Sequence, residues 1–223
     1  MIPPTARQAL SRERILLEAI ALADADGIGG VTMRRLAEAL GCEAMSLYHY
    51  VESKGALVAG LAEQVITEVA AATAQNPADT TDWRELVLGR CLVAREVMLR
   101  HPWAPQVIMS LPGAPAISYA IYEQLVGTLI DAGFSYELAH RAIHALGSMV
   151  FGFTQELFEP ADGSAPAMTI EQMQAVAEAM PHLAALATPD IHDEQGSLSA
   201  CDTQAEFEFT LALILDGLGR ARA

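Results

Sequence analysis

Basic charge is scarce in this chain. Its 223 residues hold 13 lysines and arginines against 28 aspartates and glutamates, a formal net charge of −15. Affinity for nucleic acid comes largely from cations on phosphates, so the chain taken whole argues against a nucleic-acid binder. Cysteine is scarce too. Cys42, Cys91 and Cys201 are odd in number and far apart, and no CxxC pair occurs. That excludes a disulfide framework, a cysteine zinc site and a thioredoxin motif. Three reduced thiols in a cytosolic protein are expected. No run of about 18 uncharged apolar residues is present, and Met1 to Leu10 has no apolar signal core. The expectation is a soluble, cytoplasmic protein. Alternating strand patterns are missing, and no Asn-Gly or Asp-Gly turn joins two such runs. GxSxG, HExxH, P-loop and GxGxxG motifs are missing as well. His101, His144 and Glu156 could act as acids or bases, but an enzyme is not expected, and neither is a cofactor or metal.

What is present is apolar surface. The hydrophobic fraction is 52%, charged residues make up 18%, and the mean hydropathy is +0.26. A disordered chain is excluded. A chain of this length buries roughly 70% of its unfolded surface without a staple. Apolar surplus beyond that suggests a pocket or a subunit interface. The charge is unevenly spread. Residues 1–55 carry six basic and seven acidic residues, a net of −1, which leaves 7 basic and 21 acidic residues, a net of −14, for 56–223. Two differently charged parts suggest two jobs.

The hydrophobic period is helical almost throughout. A first helix is predicted from Ser11 to Asp26, with Ile15, Ala19, Leu22 and Ala23 as its stripe and Gly27 as its stop. A short helix follows Thr32 as N-cap, with Val31 and Leu36 placed as a hydrophobic staple and Gly41 at its end. Two residues later another short helix spans Ala44 to Tyr50. Two short helices across a tight glycine turn form a helix-turn-helix pattern. Longer helices are predicted at 53–74, 82–100, 103–110, 115–133, 135–157, 169–184 and 203–220, with a surface loop over 185–202. The fold class is all-α.

The third helix has a composition suited to a DNA groove. Ala44 and Ser46 are small enough for close approach to base edges. Met45 or Ala44 can touch a thymine methyl. Tyr48, Tyr50 and Lys54 can bond phosphates and fix register. Arg34, with Arg35 beside it at the start of the second helix, can reach a guanine edge or a phosphate. Leu36, Ala37, Leu40, Cys42 and Leu47 are the apolar positions that glue the hairpin together. An ordinary helical hairpin with a solvated face would satisfy composition alone.

The stretch TMRRLAEALGCEAMSLYHYVESKGALVAGL resembles the DNA-binding segment of the tetracycline-repressor (TetR) family. The matching residues are Thr32, Leu36-Ala37, Leu40-Gly41, Leu47-Tyr48, His49-Tyr50, Ser53-Lys54 and Ala56-Leu57. Trp83-Arg84, the segment AGFSYELAHRAIHALGSMVFGF and Glu206-Phe207-Glu208-Phe209 resemble the tetracycline-repressor type of C-terminal domain. The resemblance implies a helix-turn-helix DNA-binding domain over 1–54. It implies a helical effector-binding and dimerisation domain over 55–223. It places Arg34, Ala44, Met45 and Ser46 at bases. Thr32, Tyr48, His49, Tyr50 and Lys54 fall at phosphates or the groove wall, and Arg35 joins this DNA-binding set.

The same resemblance implies a homodimer through helices about 135–157 and 203–220. The first of these reads as two apolar stripes, Leu138–Ala142–Ala145–Met149–Gly152 and Ala139–Ile143–Leu146–Val150–Phe153–Leu157. The second repeats Phe207, Leu211, Ile214 and Leu218. Arg95, Met98, His101, Trp103, Met109, Tyr122, His144, Ser148, Phe151 and Gln155 are the candidates for a pocket, apolar with a few orienting polar groups. Val107 stands where the tetracycline repressor has the histidine that helps hold its metal-chelated drug. A small, largely apolar effector is expected instead. The reading is a repressor released from a palindromic operator. Its alternatives are an activator with the same headpiece and a helical small-molecule-binding protein.

Overall fold

The structure is a computed structural model that describes residues 9–75, 79–153, 169–186 and 203–222. These residues contain helices and no strand. They fall into two compact units, Met1–His144 and Ala145–Ala223.

In the first unit, Ser11 opens α1 (Arg12–Gly30) by accepting the backbone N–H of Arg14 at 3.2 Å. Ile15, Leu16, Ala19 and Ala23 are its buried stripe; Leu22 is only half-buried. At Gly27 the backbone turns to φ 70°, ψ 166°. Glycine alone reaches that region cheaply, so the regular helix stops at Asp26 as its sequence predicts. Thr32 caps α2 (Met33–Leu40), its hydroxyl accepting the Arg35 N–H at 3.2 Å. The staple residues Val31 and Leu36 are both fully buried. Gly41, at φ 65°, closes α2 and sends its N–H back to the Ala37 and Glu38 carbonyls.

The next helix, α3 (Ala44–Leu47), is one turn long rather than reaching Tyr50. Glu43 provides no side-chain cap, and Tyr and His are middling helix formers. Turns carry the chain onward, with the Tyr50 N–H on the Leu47 carbonyl at 2.9 Å.

By length and composition α4 (Lys54–Gln75) could cross a membrane, whereas the sequence pattern predicts no such segment. Its apolar face is a core face, however. Leu57, Leu61, Val65, Ile66 and Val69 are buried, and the helix packs on α1, α5, α6 and α7. Gly60 lets α1 come close: a Cβ there would lie 2.9 Å from a Leu16 methyl and 3.1 Å from the Arg12 guanidinium. Because α4 packs on α1 as well as on α5, α6 and α7, the first compact unit does not end at 54/55.

The remainder of this unit is α5 (Trp83–Arg100), α6 (Ala104–Ser110), α7 (Ala116–Asp131) and the start of α8 (Tyr136–Gly152). Trp83 meets Phe134 edge-on with ring centres 4.8 Å apart. Arg90 ties α5 to α7 through the Gln124 carbonyl (3.0 Å) and the Thr128 hydroxyl (2.7 Å). Burial pushes the neighbouring Cys91 thiol up to about 12, with Arg90 pulling weakly the other way. Near pH 8 Cys91 is then held as the thiol, not the reactive thiolate. Native alkylation with iodoacetamide is expected to spare Cys91 and to label half-buried Cys42 ahead of it. Mass spectrometry of the peptides reads the result.

Along α8, Ala139, Ala142, Leu146, Met149 and Val150 are buried. This single stripe draws on both expected ones, while Ala145 and Gly152 are exposed. In the second unit, the expected helix 169–184 is two helices, α9 (Ile170–Ala179) and α10 (Pro181–Leu186). Pro181 excludes Met180 from helical geometry, and Met180 sits at φ −135°, ψ 65°. Thr169 and Gln172 cap α9 reciprocally at 3.2 and 2.9 Å. The last helix, α11 (Thr203–Arg222), buries Phe207, Leu211, Leu215 and Leu218; Ile214 is half-buried. Phe207 meets Phe153 edge-on at 5.9 Å. Cys201, Leu157, Gln155, Glu156 and the part of the expected 185–202 loop beyond Leu186 lie outside the described residues.

Candidate nucleic-acid interface

Leu36, Ala37, Leu40 and Leu47 are buried and hold α2 and α3 to each other, with α2 packed on α1. Everything else on α3 and its following turn points outward to some degree. Met45 is 71% exposed. Tyr48, His49 and Tyr50 are exposed, while Ala44 and Ser46 are half-buried. Four outward-facing side chains beside two small ones make a reading surface that a groove could accept. Arg34 and Lys54 are exposed, and neither forms an ion pair among the described residues. Thr32 is half-buried and occupied as the cap of α2.

Arg35 departs from expectation. Its guanidinium pairs with Asp26 and also donates to the Gly30 carbonyl at 3.1 Å. It therefore braces the α1–α2 corner, with its side chain still 42% exposed. Gly30 is needed there, since a Cβ would fall 2.7 Å from the Asp26 Cβ. Nothing in the local sequence marks Asp26 as this partner, nine residues away.

Comparison with known proteins decides what this surface belongs to. A model of "Bacterial regulatory proteins, tetR family" matches residues 15–61, and one of "Tetracyclin repressor-like, C-terminal domain" matches residues 76–222. The tetracycline repressor protein class C of Escherichia coli is 30% identical over 96% of this chain and 92% of that repressor. The chain belongs to the TetR family. A crystal structure of a possible TetR family transcriptional regulator from Streptomyces coelicolor A3(2) is 30% identical. It covers 95% of this chain and 100% of its own, with a TM-score of 0.74. Streptomyces coelicolor ActR, solved in complex with actinorhodin, is 25% identical with a TM-score of 0.74, over 96% of this chain and 99% of its own. This TetR-family protein is a ligand-responsive, DNA-binding transcriptional regulator.

The expected effector contacts of this regulator divide sharply. Arg95 and Met98 on α5 are fully buried, and Tyr122 on α7 is half-buried. Phe151, in the second unit, is half-buried. Met109 is 71% exposed, and His144 and Ser148 are exposed. His144 stacks edge-on with His140 at 4.7 Å. His101 and Trp103 are buried but already engaged. The His101 ring nitrogens lie 2.8 Å from Asp24 and 3.0 Å from Glu68, and the Trp103 indole donates to Asp24 at 2.6 Å. Neither polar group is left to orient a ligand. Sequence reasoning named this histidine but missed Asp24 and Glu68, which lie 77 and 33 positions away, beyond any local pattern.

Proposed function

We propose that this chain is a homodimeric repressor, acting in the cytoplasm, that binds a palindromic operator and leaves it when a small, largely apolar effector enters its body. The division of labour follows the chain: residues 1–54 read DNA and residues 55–223 bind effector and partner. The carrying observation is the outward set Arg34, Met45, Tyr48, His49 and Tyr50, raised on a hairpin whose inward residues are all apolar. Met45, with small Ala44 and Ser46, meets base edges. Arg34 meets a guanine edge or a phosphate, and Tyr48, His49, Tyr50 and Lys54 meet the backbone. A helix of one turn reads too few bases alone, so two copies must read successive major grooves, about 34–36 Å apart. Arg95, Met98 and Tyr122, all in the first unit, are the effector contacts this reading retains. That the relatives include a tetracycline repressor and an actinorhodin-bound ActR supports a small-molecule effector.

The test begins with selection of bound duplexes from a random pool, followed by footprinting. An inverted repeat protected on both half-sites is the expected result. With that duplex, Arg34→Ala is expected to weaken binding, and the slope of log affinity against log salt should drop by about one for each phosphate that is no longer neutralised. Selection that returns no common sequence, or R34A binding with unchanged affinity and slope, overturns the assignment.

A further inference from the structure

One ring joins the reading head to the body. His101 closes α5 at φ −124°, ψ 68°, and is 7% exposed. Its Nδ1 is 2.8 Å from Asp24 Oδ1 on α1, and its Nε2 is 3.0 Å from Glu68 Oε2 on α4. The other Glu68 oxygen is held by Arg100 at 2.9 Å. Trp103, just before α6, donates its indole N–H to the same Asp24 oxygen at 2.6 Å, with its ring 6.0 Å from the imidazole. Asp24 from α1, Glu68 from α4 and Arg100 from α5 are thus the charged groups around the ring.

Carboxylate oxygens accept hydrogen bonds and donate none. A neutral imidazole offers one N–H and one lone pair; only the imidazolium offers two N–H groups. With a proton on both nitrogens, the group Asp24, Glu68, Arg100 and His101 is balanced, two negative charges against two positive. Remove one proton and one carboxylate faces a lone pair across about 3 Å. That arm repels instead of holding.

We propose that His101 is a positioning residue whose second proton latches α1 of the head to α4 and the α5–α6 corner of the body, so that headpiece placement depends on pH. As pH rises and the ring loses that proton, one arm opens and the head loosens; as pH falls, the latch closes. The consequence for DNA rests on the function proposed above. The latch itself does not.

Trp103 reports the latch without DNA or effector. In the full-length W83F variant its fluorescence is followed from about pH 5 to 9, which spans the range where histidine charge ordinarily changes. W103F identifies the Trp103 share of the signal. A single one-proton transition is expected, and it should vanish in H101Q, which keeps one donor at every pH, and in D24N. Operator affinity, measured by anisotropy on a selected duplex, should fall about tenfold across the same transition and become flat in H101Q. Signal that is flat with pH, or a transition that survives in both H101Q and D24N, overturns the latch. A transition with normal variant behaviour but no duplex bound at any pH sustains the latch and overturns the DNA reading. Affinity that ignores pH while the fluorescence titrates overturns the coupling to the head.

Discussion

Glutamate at both Phe209 and Leu213 is expected to lower operator affinity by about a thousandfold or more, close to the gap between specific and non-specific binding. The two side chains lie one helical turn apart on α11 and are 62% and 54% exposed. Phe207, Leu211, Leu215 and Leu218 already supply the helix with its inward face. An apolar outward face on a helix that has filled its inward one is the mark of a surface awaiting a partner. Within the same unit, Ala145, Ser148 and Gly152 of α8 are exposed and small, which allows close helix approach. The doubly substituted chain should remain folded, because neither position is buried, yet run as a single copy in light scattering. Each copy would then read one half-site. A variant that stays dimeric with unchanged operator affinity removes α11 from the interface.

Leu47→Ala should cost about 2–5 kcal/mol of stability, the range for emptying a fully buried leucine site. Leu47 is the sole buried residue of α3 and is fully buried. The neighbouring Met45, 71% exposed, gives the contrast. M45A should change stability by no more than about 0.5 kcal/mol and reduce operator discrimination by about 1 kcal/mol, the scale of one buried methyl contact. Urea titration of both variants beside anisotropy on a selected duplex separates anchor from reader. Should M45A destabilise the fold as much as L47A, α3 would be packed the other way round.

Much of this molecule is written in short-range signals. Ser11, Thr32, Gly27 and Gly41 start and stop the first two helices where cap chemistry and glycine geometry put them. The core of the hairpin follows from apolar spacing, and its outward face is the remainder. Errors arise where distant residues or finer local rules decide. Pro181 splits a helix that periodicity joins. The face buried on α8 mixes residues of the two expected stripes, and Ala145 and Gly152 of the first are exposed in the single chain. Asp26 beside Arg35, and Asp24 and Glu68 beside His101, are partners that no local pattern reveals. The apolar pattern of a helix says which side is inward; it does not say what a polar tip will meet.

The arginine held at the α1–α2 corner has a kinetic consequence. Non-specific attraction to a chromosome scales with the number of cations a protein can lay on phosphates. With Arg35 neutralised by Asp26, Arg34 and Lys54 are the exposed cations of the hairpin and of the start of α4, and residues 56–223 are strongly acidic. On the function proposed above, such a molecule is expected to slide poorly and to leave wrong sequences quickly.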